Sequence, residues 1–361
     1  MKETGKNKIR PTEQGFSLLE LLVSMIIFLV ITGSIWGVLA TAQKSRSVVN
    51  QQVQLAKNVR IGLNLIGRDT LNAGYGYPLL NTVVLPDNRI STAIGIPNDF
   101  DTSRDTVPPI ISGNNVTLNT FNTTANVSTD QVTFLFKDST FNQVGSIGPQ
   151  DVRVSLPLNI NAATTNGSSI DEIIPISGSN TSCRVNDIFL VTGNTGSALA
   201  LATALSGSDK VQFSNGDVLG FNQTGLTGPL RGITLPASMQ RVKMITYYVT
   251  PEGVLTRREF GNVPPIPPAL PVGFVDEPLV YGVEDFQIRY VMDDGTLSDN
   301  PSAGVDGIAG SADDNASNLT AVRQVRFTIS TRSIELNSIG QPYRETMTST
   351  FSTRNLGYDA N

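Results

Sequence analysis

The chain begins with a short polar segment, which is followed by one long apolar run and then by shorter alternating segments. The apolar run from Phe16 to about Ala42 contains a single charged residue, Glu20. A helix of roughly 20 residues crosses the hydrocarbon of a bilayer, so the run predicts a transmembrane helix over 16–42. Before the run stand more basic than acidic residues: Lys2, Lys6, Lys8 and Arg10 against Glu3 and Glu13. This excess of positive charge predicts a cytoplasmic amino terminus, with the rest of the chain on the other side of the membrane.

A helical period continues after the apolar run. Steps of three and four residues place one apolar stripe on a single helix face: Val49, Val53, Ala56, Val59, Leu63 and Ile66. No proline occurs between Pro11 and Pro78, so nothing forces a break, although Gly62 and Gly67 are expected to weaken the helix. We therefore expect an amphipathic helix over 43–75. Together the two parts predict one helix of roughly 80 Å that buries its stripe against a globular head.

After the glycines and the proline of 72–78, which end the helix, the pattern changes to a period of two. Alternating apolar residues predict strands over 131–137, 187–192, 242–250, 254–260, 283–291 and 322–330. Pro251, Glu252 and Gly253 predict a hairpin between the third and fourth of these. The fold class is therefore α+β, with a long amino-terminal helix packed on a mostly antiparallel sheet. The head spans 76–361, with loop insertions expected at about 78–180 and 293–320.

Composition narrows the classes of function. The 361 residues carry a formal net charge of −5, which argues against a nucleic-acid partner because such binding needs a basic patch. The chain contains no histidine, which excludes Ser-His-Asp and Cys-His catalysis and histidine-ligated metal sites. Cys183 is the one cysteine, so no intramolecular disulfide can form. We expect Cys183 to be a small buried residue, and we predict no catalytic residues and no cofactor.

The segment 293–315 is rich in Asp, Gly, Ser and Asn. Such loops can bind calcium through oxygen ligands, but the spacing of an EF-hand and its closing glutamate are absent. We expect a solvated, mobile loop between two strands and no metal site.

Glu20 distinguishes the interpretations of the apolar run. A carboxylate in hydrocarbon costs a few kcal/mol unless it is paired. Ala40, Thr41 and Ala42 form a small-x-small sequence that a signal peptidase would accept, but the run is longer than the apolar region of about 7–15 residues in a signal peptide. Neither a cleaved signal peptide nor a plain signal anchor accounts for Glu20.

The six residues Gly15-Phe16-Ser17-Leu18-Leu19-Glu20 resemble the type III signal of type IV pilins and pseudopilins, G-F-[ST]-L-[LIV]-E. The resemblance implies that a prepilin peptidase removes the leader 1–15 by cleavage after Gly15 and methylates the new amino terminus of Phe16. It also implies that Glu20 pairs with the amino-terminal amine of a neighbouring subunit. The desolvation cost of Glu20 would then be offset in the assembled state, because attraction between opposite charges is stronger at low dielectric.

Three further segments resemble PilW-type minor pilins: 66–75, 278–290 and 321–329. In the first, Thr70 and Asn72 replace residues that are often aliphatic and arginine in that family. The resemblance implies a minor type IV pilin that initiates or caps a pilus with other minor and major pilins. It would lie in the inner membrane with a periplasmic head and later in the pilus at the cell surface. A type II secretion pseudopilin and a pilin-stem adhesin are the alternatives, whereas a hydrolase is disfavoured by the missing histidine.

Overall fold

A computed structural model describes residues 17–78, 83–96, 104–121, 127–141, 143–144, 154–155, 158–164, 169–174, 183–206, 210–223, 228–262, 273–303, 314–336 and 340–356. The leader 1–15 and Phe16 lie outside these residues. Between Val53 and Gln54 the chain divides into two compact units.

One helix, α1, runs from Leu18 to Asn72 and is 55 residues long, as the continuous helical pattern predicts. It ends in a turn at Ala73–Gly76, where Gly74 has a φ of +78°. Because glycine lacks a Cβ atom, it adopts this left-handed conformation without strain. The N–H group of Gly74 donates to the carbonyl of Leu135 at 2.9 Å and joins the helix end to the sheet.

Nineteen strands follow within the described residues. They are β1 Val83–Leu85, β2 Asp105–Thr106, β3 Ile110–Asn119, β4 Val127–Lys137, β5 Gln143–Val144, β6 Val154–Ser155, β7 Leu158–Thr164, β8 Ser169–Ile174, β9 Ile188–Gly193, β10 Gly196–Leu201, β11 Ala204–Ser206, β12 Lys210–Gln212, β13 Ala237–Val249, β14 Val254–Phe260, β15 Phe274–Tyr281, β16 Val283–Met292, β17 Leu297–Ser298, β18 Val322–Leu336 and β19 Pro342–Ser352. The helices described after α1 are a π-helical turn, Ile90–Ile94, and a 3₁₀ helix, Ala316–Ala321. The chain is thus an α+β protein with a mostly antiparallel sheet.

Strand β13 is the centre of the larger sheet, which has 13 strands within the described residues. Its first half pairs with β7 and β9, and its second half pairs with β4 and β14. The predicted hairpin joins β13 to β14, and Gly253 in its turn has a φ of +76°. Strand β15 follows β14 at one edge of the sheet.

A second sheet has the order β17-β16-β18-β19. In β18 the side chains of Val325, Phe327 and Ile329 are buried, while the residues between them are half-buried, as the alternation predicts. Phe327 stacks on Phe286 of β16 with ring centroids 6.2 Å apart. Residues of both sheets and of α1 enter one hydrophobic cluster, which forms the core beside the helix.

One expectation needs correction. The range 78–180 was expected to hold loop insertions around the predicted strand 131–137, but that strand extends over the 11 residues of β4, and β3 adds another strand of 10 residues. The apolar residues of β3 were hidden from composition because Ser, Gly, Asn and Thr residues stand between them. In the unit that begins at Gln54, the stripe residues Val59, Leu63 and Ile66 are buried, as the helical period predicts.

Candidate assembly site

The site that the sequence predicts lies at the start of α1. Glu20 stands in the first turn of the helix and is exposed. The first N–H groups of a helix have no partner within it, and they carry partial positive charge that favours a nearby carboxylate. Within the described residues, which exclude the basic leader, Glu20 has no ion-pair partner. Gly15 and Phe16, the predicted cleavage and methylation residues, lie outside the described residues.

The helix surface after Glu20 is apolar and uncovered. The large hydrophobic side chains from Leu18 to Leu39 are between 45% and 84% exposed. Helix α1 is long and apolar enough to cross a membrane by length and composition. The hydroxyls of Ser24, Ser34 and Thr41 donate to the helix carbonyls of Leu21, Val30 and Gly37 at 2.8–2.9 Å. This internal bonding satisfies polar groups that lipid could not satisfy.

The second half of α1 is held by close packing. Val59, Leu63 and Ile66 are at most 3% exposed. Two glycines on this part of the helix lie directly against side chains of the sheets. A Cβ atom on Gly62 would lie 2.7 Å from Cγ2 of Val280, and one on Gly67 would lie 2.2 Å from the Phe351 ring. The glycines that were expected to weaken the helix therefore permit its close approach to β15 and β19.

Asp69 provides a polar anchor in the same region. Its carboxylate is 3% exposed and accepts a hydrogen bond from the Tyr247 hydroxyl at 2.7 Å and one from Nε of Arg257 at 3.0 Å. Burial, together with the adjacent Asp69 carboxylate, raises the pKa of Tyr247, so its hydroxyl keeps its proton and acts as a donor. Burial alone would lower the pKa of Arg257, but Asp69 outweighs it and the guanidinium pKa is raised. Asp69 thus accepts hydrogen bonds from two buried donors.

This anchor was not predicted. Asp69 lies three residues after Ile66 and falls on the apolar stripe of the helix. A carboxylate on a buried helix face requires a buried partner. The presence of an acidic residue on the apolar stripe was therefore the one sequence feature that could have indicated this anchor. Its partners, Tyr247 and Arg257, lie on β13 and β14, and no sequence pattern connects them with position 69.

The acidic segment 293–315 is bonded to the second sheet where it is described. Asp299 forms an ion pair with Arg289 at 2.9 Å, and Asp293 lies 3.7 Å from Arg323. Asp294 accepts hydrogen bonds from the backbone and hydroxyl of Thr296 at 2.8 and 2.7 Å. Asp306 and Asp313 lie outside the described residues. Among the residues that are described, no group of three His, Cys, Asp or Glu side chains could hold a metal ion.

Cys183 is half-buried and packs against a hydrophobic cluster of the larger sheet. Burial, with a smaller contribution from Asp187, raises the pKa of its thiol to about 12. The thiol is therefore protonated at neutral pH and is a poor nucleophile.

Residues 10–36 match the family model described as the prokaryotic N-terminal methylation motif. A search among curated proteins found no match to the chain. The amino-terminal segment therefore carries a type IV pilin-like prepilin signal. The signal and the apolar helix support a pilin-like or pseudopilin precursor that is processed by prepilin peptidase and anchored in the membrane.

Proposed function

We propose that the chain is a minor type IV pilin, a structural subunit and not an enzyme, that acts in the initiation or at the tip of a pilus. The observation that carries the proposal is the prepilin signal at the start of an uninterrupted 55-residue helix. The precursor lies in the inner membrane with a cytoplasmic amino terminus and a periplasmic head. After cleavage the mature chain enters the pilus with other minor and major pilins. The lack of any histidine supports a non-catalytic role.

Glu20 acts in this proposal as the residue that selects for assembly. Alone in lipid, its carboxylate lacks a partner, which costs a few kcal/mol. The new amino terminus of Phe16 on a neighbouring subunit would supply a cation. Pairing in a low-dielectric setting would then stabilise the assembled state more than the monomer.

The PilW-type assignment rests on the resemblance of three segments, and residues of all three lie together in the structure. Ile66 and Ala73 come from the first, Phe286 and Ile288 from the second, and Val325 from the third. All five residues are buried in one hydrophobic cluster. Segments that are scattered over more than 250 positions of the sequence thus form one structural unit, as a shared family core would.

The amino-terminal residue of the mature chain tests the prepilin part of the proposal. We expect mass spectrometry to find a chain that begins with N-methylated Phe16. A Gly15→Leu substitution should block cleavage, whereas Gly5→Leu in the same leader should not. A mature chain that begins at Gln43, after Ala40-Thr41-Ala42, would contradict the proposal.

The minor-pilin part needs a separate experiment. Deletion of the gene should abolish surface pili, and the protein should be present at low abundance in sheared filaments. Loss of protein secretion with normal pili would instead indicate the type II pseudopilin. Normal pili with loss of surface binding would indicate an adhesin carried on a pilin stem.

A further inference from the structure

The two long strands beside the second half of α1 differ in how their free edges are protected. In β15, Asp276, Glu277 and Pro278 stand in sequence, and the pairing with β14 shifts register between Leu255 and Thr256. Charges, proline and bulges are the features by which proteins block pairing at a sheet edge. Strand β15 therefore carries all three forms of protection.

Strand β19 has such features only in its first half, where Pro342, Arg344, Glu345 and a register shift opposite Arg332–Leu336 occur, and its second half lacks them. Among the residues that the structure describes, β19 pairs with β18 alone, in a regular register from Ser352 opposite Gln324 to Arg344 opposite Arg332. From Thr346 to Ser352 it contains no proline and no charged residue. A long, regular and uncharged edge strand exposes a row of backbone N–H and C=O groups that another strand can pair with.

The inner face of β19 is also incompletely covered. No residue of this strand is fully buried, although Phe327 in the adjacent strand β18 is 0% exposed. Met347 and Phe351 pack against the core cluster but stay half-buried. The hydrophobic core is therefore open along this edge, where one more strand would close it.

A cleft of about 300 Å³ lies between α1 and β19 at this opening. It is lined by Arg60, Leu63 and Asn64 of the helix and by Met347, Thr348 and Ser349 of the strand. Arg60 is exposed and forms no ion pair with any residue that the structure describes. The cleft thus offers two apolar side chains, Leu63 and Met347, several polar groups and one available cation.

We propose that the edge of β19 and this cleft accept an extended segment of another protein by strand addition. The segment carries small apolar side chains at the positions that point into the cleft and one acidic side chain that reaches Arg60. A second copy of this chain would bring a second Arg60 to the same side, so a partner with an acidic residue matches the charge better. The inference goes beyond the proposed function and does not depend on it.

The test uses the full chain in detergent micelles and a labelled peptide of alternating Thr and Val with one Val replaced by Asp. Ser349→Lys places a charge on the inner face of β19, and Thr346→Lys places the same charge on the outer face as the matched control. We expect fluorescence anisotropy to show binding to the wild type and to Thr346→Lys, and at least about tenfold weaker binding to Ser349→Lys. Hydrogen exchange of the β19 amides should slow when the peptide binds.

Equal binding to the two lysine variants, or unchanged exchange in β19, would overturn the proposal. Replacing Asp by Asn in the peptide should weaken its binding to the wild type but not its binding to Arg60→Gln. If both proteins lose the same affinity on this change, the acidic side chain does not reach Arg60 and that part of the proposal is wrong. If the wild type dimerises without peptide and Ser349→Lys does not, the occupant is a second copy and the assignment to another protein is wrong. Thermal unfolding of each variant excludes a general loss of folding.

Discussion

Oδ2 of Asp69 lies 3.0 Å from Nε of Arg257, a residue 188 positions later in the chain. This pair joins the helix to β14 at a point where the Asp69 side chain is 3% exposed and the Arg257 side chain is 10% exposed. Glu259, at 3.2 Å, also contacts the Arg257 guanidinium. The Tyr247 hydroxyl supplies the second buried donor to Asp69. This bonded pair therefore fixes one position of the helix against the sheet, in addition to the close packing of Gly62 and Gly67.

Asp69→Ala should therefore be strongly destabilising. Removal of one partner of a buried pair costs about 3–5 kcal/mol when the other charge is left uncompensated. Arg257 keeps the more exposed Glu259 and Glu277, so we expect a loss near the lower end of this range, about 3 kcal/mol. Urea unfolding of the full chain in detergent micelles, followed by near-ultraviolet circular dichroism, measures the loss. Asp299→Ala is the control, because Asp299 pairs with Arg289 where both side chains are more than half exposed, and its loss should cost less than about 1 kcal/mol.

The double variant Asp69→Leu with Arg257→Met distinguishes the pair from simple packing. Replacement of both charges by apolar side chains of similar size leaves no fully buried charge unpaired. Glu259 is partly exposed and keeps Lys243 at 3.5 Å, and Glu277 is 57% exposed. We expect the double variant to be more stable than either single variant. A double variant whose loss equals the sum of the two single losses would show that the two residues do not act as a pair.

Gly67→Ala should destabilise the chain although alanine is the better helix former. The added Cβ would lie 2.2 Å from the Phe351 ring, so the ring or the helix must move. We expect a loss of about 1–3 kcal/mol, the usual cost of overpacking. Gly37→Ala is the matched control on the same helix, because no atom lies within 4 Å of its added Cβ, and it should cause no loss. A Phe351→Leu substitution should recover part of the stability of Gly67→Ala, and an absence of recovery would place the strain elsewhere.

Asp130 should make stability depend on pH. It is 2% exposed, and its two oxygens accept the backbone N–H groups of Asn115 at 2.9 Å and Ile288 at 2.6 Å. Burial raises its pKa to about 6 in spite of these hydrogen bonds, with smaller increases from Asp285 and Asp299.

The raised pKa of Asp130 means that the folded state holds this proton between about pH 4 and pH 6, where the unfolded state has released it. Stability from this group is therefore greatest below pH 4 and is lost as the pH rises to 6, by an amount on the order of 2–3 kcal/mol. Asp130→Asn resembles the protonated form and should lack this component. The free energy of unfolding is measured at pH 5 and pH 7 for the wild type and for Asp130→Asn. The difference between the two proteins separates the contribution of Asp130 from that of the other acidic residues. If the wild type gains stability over the variant at pH 7, the two N–H groups dominate and hold Asp130 ionised.

The helix and the strands with simple alternation could be predicted from the sequence because each is a local pattern. The period of 3.6 residues gave α1 almost to its last residue, and the period of two gave Val325, Phe327 and Ile329 as inward positions. The prepilin motif is equally local, and the family model matches it over 10–36.

The remaining features depend on residues that are distant in sequence. The burial of a helix stripe is decided by which strands cover it, and the period alone does not indicate which strands these are. The same holds for Asp69, whose partners are set by the pairing of β13 with β14 and by their position beside α1. The contact of Gly67 with Phe351 is a third example, since glycine in a helix is locally a weakness and only the packed structure makes it necessary.

Glu20→Ala should separate membrane insertion from assembly. Glu20 stands four residues after Phe16 in the sequence, which is about 6 Å of rise in a continuous helix, so we expect the peptidase to reach Gly15 and cleavage to be largely unchanged. The isolated helix loses an unpaired carboxylate and should be more stable in lipid. The assembled state loses the partner for a neighbour's amino terminus, so the amount in sheared filaments or in co-purified pilin complexes should fall. Glu20→Gln should behave like Ala if charge pairing matters and like the wild type if hydrogen bonding suffices.

Cleavage is measured by gel shift and incorporation by quantitative blotting, with Ser24→Ala as the control for a polar residue whose hydroxyl is bonded within the helix. Normal incorporation of Glu20→Ala would mean that Glu20 is only a tolerated acid near the membrane surface and has no part in assembly.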